Sequence, residues 1–144
     1  KDKQSVLKTC IDSIRQRSSY HNFEIIIVEN NSTENETFEY YAELEANECI
    51  RIIEFKDTFN FSTIVNTGVA NAKGDYYLLL NNDTEVITPD WIEELLGNCQ
   101  RKEVGITGAR LYFPDDTIQH AGIVIGSGGS AGSMFRGMAG KRTG

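Results

Sequence analysis

The stretch Asp75-Tyr-Tyr-Leu-Leu-Leu-Asn-Asn-Asp83 decides how the fold of this chain is interpreted. Its large apolar residues, 76–80, form a short uninterrupted run, which is typical of a strand buried on both faces of a parallel sheet. Two amides and one carboxylate follow directly, at the position where open α/β sheets bind ligands. Such oxygen-bearing side chains suit a hard divalent cation that also contacts phosphate. A polar loop that merely ends a strand is the alternative that this stretch leaves open.

A second predicted strand has the same kind of polar end. The apolar run Phe23–Val28 leads directly into Glu29-Asn-Asn-Ser32. Because parallel strands end at the same edge of a sheet, we expect both polar ends on one rim, about one or two strand spacings of ~4.8 Å apart. At that rim Glu29 or Asn30 can bind the edge of a base, and Asp83 can bind Mg²⁺ or Mn²⁺ together with a diphosphate. The last two residues of the 29–32 cluster equally fit plain turn and cap roles.

The spacing of apolar residues elsewhere predicts helices that alternate with strands. Two helix starts are marked by the capping-box pair Thr33 and Glu36 and by Thr88-Pro89, and Gly74 marks a helix end. This alternation indicates an α/β layer fold with a mostly parallel sheet. The predicted elements are helices over residues 4–17, 33–44, 61–72 and 88–96, and strands over residues 23–28, 50–55, 76–80, 104–107, 111–113 and 118–125.

Composition excludes several classes of protein. The 144 residues make up one domain, and a net charge of −7 argues against a general nucleic-acid binder, which presents basic stripes. No apolar run approaches the length of a membrane span. The three cysteines are dispersed, which is typical of reduced thiols in a cytoplasmic protein. The start inside a helical pattern and the glycine-rich end lead us to expect a piece of something longer, truncated at both ends.

The C-terminal part of the chain differs in charge and in glycine content. Residues 117–144 contain no acidic residue, and eight of the 13 glycines lie at or after Gly122. We expect residues 126–144 to form a flexible segment, because so glycine-rich a stretch buries little apolar surface. It is either a plain tail or a segment that faces an anion, through the basic residues Arg136, Lys141 and Arg142.

Several motifs together resemble family 2 glycosyltransferases. Val28–Thr33, Asn66–Gly74 and Leu80–Thr84 follow one another in the order and spacing of that family. Two later pieces, Gly108–Tyr112 and Ile118–Gly122, are similar to the rhamnosyltransferase-like branch that makes bacterial cell-surface polysaccharides. The resemblance covers essentially the whole chain.

The resemblance implies a three-layer α/β/α GT-A fold, Rossmann-like, with a mostly parallel sheet. It implies an inverting enzyme that transfers a sugar from a nucleotide-diphosphate donor to a saccharide or lipid-linked acceptor, assisted by Mn²⁺ or Mg²⁺. The donor nucleotide can be UDP, GDP or dTDP. The expected location is the cytoplasm, either free or at the inner face of the membrane.

Position by position, the family's acidic base-binding motif falls on Glu29-Asn30, and its Asp-x-Asp metal motif falls on Asn81-Asn82-Asp83. Asp83 is then the direct metal ligand, and Asn81 contacts ribose or metal-bound water. Asn66 and Lys73 lie on the donor side by analogy, or are plain helix-surface residues. Arg136 is expected to close over the diphosphate as part of a lid. The nucleotide-binding residues implied are Glu29, Asn30, Asn31, Ser32, Asn66, Asn81 and Asn82.

The resemblance also implies parts that this chain lacks. A first strand is expected before Lys1, and an acceptor site with a carboxylate general base is expected after Gly144. His120 fits a structural strand residue better than that base, so no catalytic residue is assigned and we expect the isolated chain to be inactive. An absent first strand leaves sheet edges open, which favours strand pairing between molecules. The rival functions are another nucleotide-handling enzyme, such as a nucleotidyltransferase, and a non-catalytic nucleotide-binding module.

Overall fold

A computed structural model describes residues 2–126 and 129–140 of the chain. Helices alternate with strands in a mixed α/β architecture, which confirms the predicted fold class. The chain divides into two compact units, Lys1–Val86 and Ile87–Gly144. That both belong to one domain stays a prediction. No helix in the described ranges is long and apolar enough to cross a bilayer.

The first unit is built around a pair of parallel strands. In chain order it contains α1 (Gln4–Arg17), β1 (Ile25–Glu29), α2 (Asn35–Glu45), β2 (Ile50–Glu54) and α3 (Phe61–Asn71). β1 pairs with β2 in register from Ile25 opposite Ile50 to Glu29 opposite Glu54. A helix between two parallel strands is the crossover that such pairing requires. The sequence predictions for all five elements are confirmed to within a few residues.

The core of this unit lies where α1 and α2 face the sheet. Apolar residues at three- and four-residue spacing give each helix one buried stripe. Partly buried Ile25, Ile27 and Tyr41 pack against that core. Its buried members are Leu7, Ile11, Tyr40, Leu44 and Ile50.

α3 lies on β1 through a glycine. A Cβ atom at Gly68 would lie 3.2 Å from Cγ2 of Val28, so the helix approaches the strand more closely than most side chains allow. The Asn60 side chain caps the start of α3 by accepting a 3.0 Å hydrogen bond from the main-chain N–H of Thr63. The helix ends at Asn71, before the predicted end at Gly74.

The amino edge of the sheet is fastened to the end of α3 by charged groups. Arg51 pairs with Glu24 at 2.9 Å and also donates to the carbonyl oxygen of Asn71. The other Glu24 oxygen accepts a hydrogen bond of 2.6 Å from the main-chain N–H of Lys73. The hydrogen bond from Lys73, and after it the hydrogen bond and positive charge of Arg51, lower the pKa of Glu24 below its ordinary value of 4.5.

The predicted strand over residues 76–80 is wrong. All five side chains are exposed, from 41% at Leu80 to 65% at Leu79, and the backbone joins no sheet. A strand buried on both faces needs a neighbour to pair with and layers to cover it. In the described part of the chain the parallel sheet contains only β1 and β2, and the run 76–80 has no such neighbour.

The described residues of the second unit form one α-helix and two antiparallel strand pairs. The elements are α4 (Trp91–Cys99), β3 (Leu111–Tyr112), β4 (Ile118–His120), β5 (Ile123–Ile125) and β6 (Ala131–Ser133). β3 pairs with β4, and β5 pairs with β6. One further bridge joins Thr117 to Ala139.

Three further local predictions are wrong. α4 begins after Asp90 because Thr88–Asp90 forms a turn, so Thr88 is not the cap. Residues 104–107 form no strand. The predicted strand 118–125 is interrupted at Gly122, whose φ of +113° is incompatible with an extended strand.

The segment 126–144 is partly described. Its residues 129–140 include β6, so part of it is attached to β5 by strand pairing. Lys141 and Arg142 lie outside the described residues. The flexibility of the segment stays a prediction.

Candidate functional site

The polar cluster after β1 closes on itself through Glu29. This carboxylate is 7% exposed, and it accepts hydrogen bonds from both the main-chain N–H and the hydroxyl of Ser32, the latter at 2.8 Å. Tyr41 lies beside this pair: burial raises its pKa, the negative charge of Glu29 raises it further, and a hydrogen bond with Ser32 acts in the opposite direction. In this structure, Glu29 and Ser32 therefore hold the turn that follows β1.

The two asparagines of this cluster connect the ends of both strands. Nδ2 of Asn30 donates to the carbonyl oxygens of Phe55 at 2.9 Å and Asp57 at 3.0 Å. Nδ2 of Asn31 donates to the same Asp57 oxygen at 3.1 Å. Because a carbonyl only accepts, these bonds fix the orientation of both amides. Within the described residues neither Oδ1 atom accepts a hydrogen bond, so both remain available as acceptors at this edge.

The start of α2 is capped from a distant part of the chain. The Asp2 carboxylate accepts hydrogen bonds from the main-chain N–H groups of Thr33 at 2.8 Å and Glu34 at 3.1 Å, and from the Thr33 hydroxyl. The predicted capping box of Thr33 and Glu36 is therefore wrong, because the Thr33 hydroxyl is used as a donor to Asp2. The N-cap residue Glu34 makes no side-chain cap hydrogen bond, so the Asp2 carboxylate supplies the negative charge and acceptors that stabilise this helix N-terminus.

The polar cluster after residue 80 is held by the same helix that follows Asp2. The Thr84 hydroxyl donates to the Asn81 carbonyl oxygen at 2.9 Å, which closes a turn around Asn82 and Asp83. The buried thiol of Cys10 in α1 lies 3.6 Å from the Thr84 hydroxyl and 3.8 Å from the Asn81 carbonyl oxygen. Cys10 of α1 thus contacts the second cluster, and Asp2, which lies two residues before α1, binds Thr33 and Glu34 directly after the first cluster.

Asp83 carries the carboxylate of this turn, and no contact with the described residues holds that carboxylate in place. Its side chain is exposed and makes no hydrogen bond or ion pair with the described residues, whereas nearby Glu85 is paired with Arg17 at 2.7 Å. No group of three His, Cys, Asp or Glu side chains in the described ranges could hold a metal by itself. One carboxylate with neighbouring amide oxygens fits Mg²⁺ or Mn²⁺ when substrate phosphate completes the shell. The residues present suit that shared kind of site.

An open cleft of about 480 Å³ lies at the start of α2. Two of its lining residues are glutamates, which repel a diphosphate. This cleft is therefore a poor anion site by itself. Its lining residues are Thr33, Glu34, Asn35 and Glu36.

The remaining candidate residues lie elsewhere. Asn66 is exposed in the middle of α3. The main-chain N–H of Lys73 binds Glu24 at the amino edge of the sheet, and the place of Lys73 on the donor side stays a prediction. In the second unit, His120 stands opposite Leu111 in the β3–β4 pair, and the guanidinium of Arg136 lies 5.5 Å from the centre of the Phe113 ring.

Sequence reasoning missed the supports of the second cluster. Ser13 and Arg17 of α1 bind Val86 and Glu85, directly after the Asn81–Asp83 turn. One signal was present, since Ser13 is a polar residue on the apolar side of an amphipathic helix, where a hydroxyl needs a partner.

Comparisons with known proteins agree with the motif resemblance. The model of the family described as glycosyl transferase family 2 matches residues 1–132. The uncharacterized protein y4gI of Sinorhizobium fredii (strain NBRC 101917 / NGR234) is 44% identical over 133 residues, covering 92% of this chain and 15% of that protein. The O-antigen biosynthesis protein RfbC of Myxococcus xanthus is 40% identical over 135 residues, covering 94% of this chain and 10% of that protein.

A further relative is more distant. Glycosyltransferase GlyG of Streptococcus pneumoniae serotype 4 (strain ATCC BAA-334 / TIGR4) is 25% identical over 111 residues, covering 77% of this chain and 36% of that protein. No solved structure matches the chain. The chain spans at most about a third of the length of these curated relatives. The family match covers most of its residues, and the chain therefore belongs to glycosyl transferase family 2 and has the α/β fold of the GT-A type.

Proposed function

We propose that this chain is the donor-binding part of a glycosyltransferase of cell-surface polysaccharide biosynthesis. The observation that carries the proposal is that the segment 2–17, made of Asp2 and α1, binds both the residues directly after the first polar cluster and the second polar cluster itself. Among the described residues, the first cluster keeps unused oxygen acceptors on Asn30 and Asn31, and the second keeps the unpaired carboxylate of Asp83. The names of the relatives from Myxococcus xanthus and Streptococcus pneumoniae support the same reaction class.

The proposed reaction joins an acceptor hydroxyl to the anomeric carbon of the donor sugar. The acceptor oxygen forms the new bond as the bond from that carbon to the diphosphate breaks, with inversion, and the nucleoside diphosphate leaves. The hydroxyl proton passes to a carboxylate base, which we place outside this chain. The acceptor is a saccharide or a lipid-linked saccharide, and the reaction takes place in the cytoplasm or at the inner face of the membrane.

Within this scheme, Asn30 and Asn31 offer oxygen acceptors to N–H groups of the nucleotide base. Glu29 and Ser32 support them by holding the turn after β1. Asn81 and Asn82 contribute amide groups toward the ribose and phosphates. Asn66 is proposed to contact the sugar nucleotide as well. Asp83 would hold the Mn²⁺ or Mg²⁺, which when bound neutralises negative charge on the departing diphosphate.

Arg136 is proposed as the cationic residue of a segment that closes over the diphosphate. The support is its charge in a stretch, 117–144, that has no acidic residue. Its guanidinium rests on the Phe113 ring, a contact that leaves its charge intact. Removing that charge in Arg136→Gln should weaken binding of nucleoside diphosphates, and unchanged affinity would end the lid proposal.

Turnover of sugar nucleotides by the full-length protein tests the proposed reaction. The protein is incubated with UDP-, GDP- and dTDP-sugars and saccharide acceptors, and the released nucleoside diphosphate is measured. Release that depends on acceptor is expected for the full-length protein, and none for the 144-residue chain alone. Pyrophosphate release from a nucleoside triphosphate and a sugar phosphate would favour the nucleotidyltransferase, and binding without turnover would favour the non-catalytic module.

A further inference from the structure

We propose that Ser13 and Arg17 of α1 are positioning residues for the Asn81–Asp83 turn. The inference rests on the proposed function, in which Asp83 serves as cation ligand. It adds that the geometry of this ligand is set from outside the loop, by one face of a helix more than 60 residues earlier in the sequence.

Ser13 fixes the main-chain N–H of Val86. The serine is 5% exposed, and its hydroxyl accepts the Val86 hydrogen bond at 3.1 Å while donating to the Cys10 carbonyl oxygen at 2.8 Å. The Ser13 hydroxyl is therefore used both as a hydrogen-bond donor and as an acceptor. Val86 is itself 8% exposed, so without Ser13 its main-chain N–H would have little access to water as a replacement hydrogen-bond acceptor.

Arg17 fixes the other main-chain group of Val86. Nη1 donates to the Val86 carbonyl oxygen, and Nη2 pairs with Glu85 at 2.7 Å. Both hydrogen-bonding groups of the Val86 backbone are thereby bound to α1. The same arginine holds Glu85, the next acidic residue after Asp83, in an ion pair.

The supports form a line along α1. Cys10, Ser13 and Arg17 are spaced by three and four residues, so they lie on one side of the helix. Cys10 is in contact with the beginning of the segment at Asn81 and Thr84, and the other two bind its end. Asp83 lies between these fixed points, so the turn that presents its carboxylate has little freedom to move. Residues that hydrogen-bond a metal ligand directly commonly change metal affinity by about 10- to 100-fold, and Ser13 and Arg17, which act through Val86 and Glu85, are expected at the lower end of that range.

The test measures binding of Mn²⁺ to the full-length protein in the presence of UDP, GDP or dTDP. Binding is monitored as the loss of the electron paramagnetic resonance signal of free Mn²⁺. Ser13→Ala and Arg17→Gln are compared with wild type. Arg15→Gln is the matched control, since Arg15 is an exposed arginine of α1 that makes no hydrogen bond to residues 81–86. Asp83→Asn tests the cation ligand itself, and Ser13→Thr returns the hydroxyl.

We expect Asp83→Asn to abolish nucleotide-dependent Mn²⁺ binding, and Ser13→Ala and Arg17→Gln to weaken it about tenfold. Arg15→Gln and Ser13→Thr should bind like wild type, and nucleotide affinity in chelator should stay unchanged, which misfolding would not allow. If Asp83→Asn abolishes Mn²⁺ binding while Ser13→Ala and Arg17→Gln bind normally, the positioning inference is overturned and the proposed function stands. Normal Mn²⁺ binding by Asp83→Asn would overturn the cation site and the positioning inference together.

Discussion

The hydroxyl of Ser13 accepts a 3.1 Å hydrogen bond from the main-chain N–H of Val86, 73 residues further along the chain. This bond joins α1 to the segment that directly follows the Asn81–Asp83 turn. Because Asp2, just before α1, caps α2 directly after the first polar cluster, the segment 2–17 contacts both regions of the candidate site. Stability and ligand binding are therefore expected to depend on the same few contacts.

Ser13→Ala should destabilise the domain by about 1–3 kcal/mol, because it leaves the buried N–H of Val86 without a partner. The free energy of unfolding in urea measures this loss. Thr9→Ala is the control, since the Thr9 hydroxyl is exposed and binds only the Ser5 carbonyl oxygen of its own helix. Its effect should stay within about 0.5 kcal/mol. Equal effects of the two substitutions would contradict the role given to Ser13.

Glu24 should make the stability of the first unit depend on acid pH. Hydrogen bonds from Lys73 and Arg51 lower its pKa in the folded chain below the ordinary value of 4.5. The stabilisation is therefore complete above that value and is lost as pH falls through the lower folded pKa. As the pH is lowered below 4.5, the free energy of unfolding of Glu24→Gln should decrease less steeply than that of wild type. The exposed Glu39 makes no ion pair with described residues, so an equal change in Glu39→Gln would contradict this assignment.

Gly68→Val should destabilise the packing of α3 on β1. Even a Cβ atom there would lie 3.2 Å from Val28, and the larger side chain must displace the helix, at a cost of about 1–3 kcal/mol. Gly97→Ala in α4 is the contrasting variant, because nothing lies within 4 Å of its added Cβ. It should raise stability by about 0.5–1 kcal/mol through the higher helix propensity of alanine. Thermal unfolding of both variants gives the comparison, and a neutral Gly68→Val would refute the close contact.

The exposed run Tyr76–Leu80 should make the isolated 144-residue chain associate with itself. Contiguous apolar surface of this kind and an open strand edge both favour contacts between molecules. Leu79→Glu should lower the mass seen by light scattering at high concentration. Ile106→Glu changes a residue that is 91% exposed outside this run, and it should leave the mass unchanged. A clean monomer at all concentrations would count against self-association.

Local sequence patterns sufficed for the elements whose partners are close in the chain. The apolar spacing of residues 4–17 matches α1, and the runs near Ile25 and Ile50 become the paired strands, because α2 brings them together directly. The run 76–80 has the same composition as a buried strand but no adjacent strand among the described residues. An apolar run becomes a strand only when another strand lies beside it in the fold, and the local sequence of the run carries no information about that strand.

The two polar clusters of the candidate site could be chosen from the sequence, but their atomic contacts could not. Polar residues after two apolar runs identified the 29–32 and 81–83 clusters. In the folded turn, both carboxylate oxygens of Glu29 accept hydrogen bonds from Ser32, whereas the Oδ1 atoms of Asn30 and Asn31 accept none from the described residues. These contacts depend on how the turn closes, which the sequence pattern does not specify. The position of the Lys73 main chain likewise depends on Glu24, a partner distant in the chain that a local pattern does not contain.

Calorimetric titration of the full-length protein with UDP, GDP and dTDP, with and without Mn²⁺, tests the central claim most directly. Wild-type protein should bind one of these nucleotides, and Mn²⁺ should tighten that binding at least about tenfold, while Asp83→Asn should bind the same nucleotide with no gain from Mn²⁺. Failure of the wild-type protein to bind any of the three nucleotides, or an undiminished gain from Mn²⁺ in Asp83→Asn, would contradict the account.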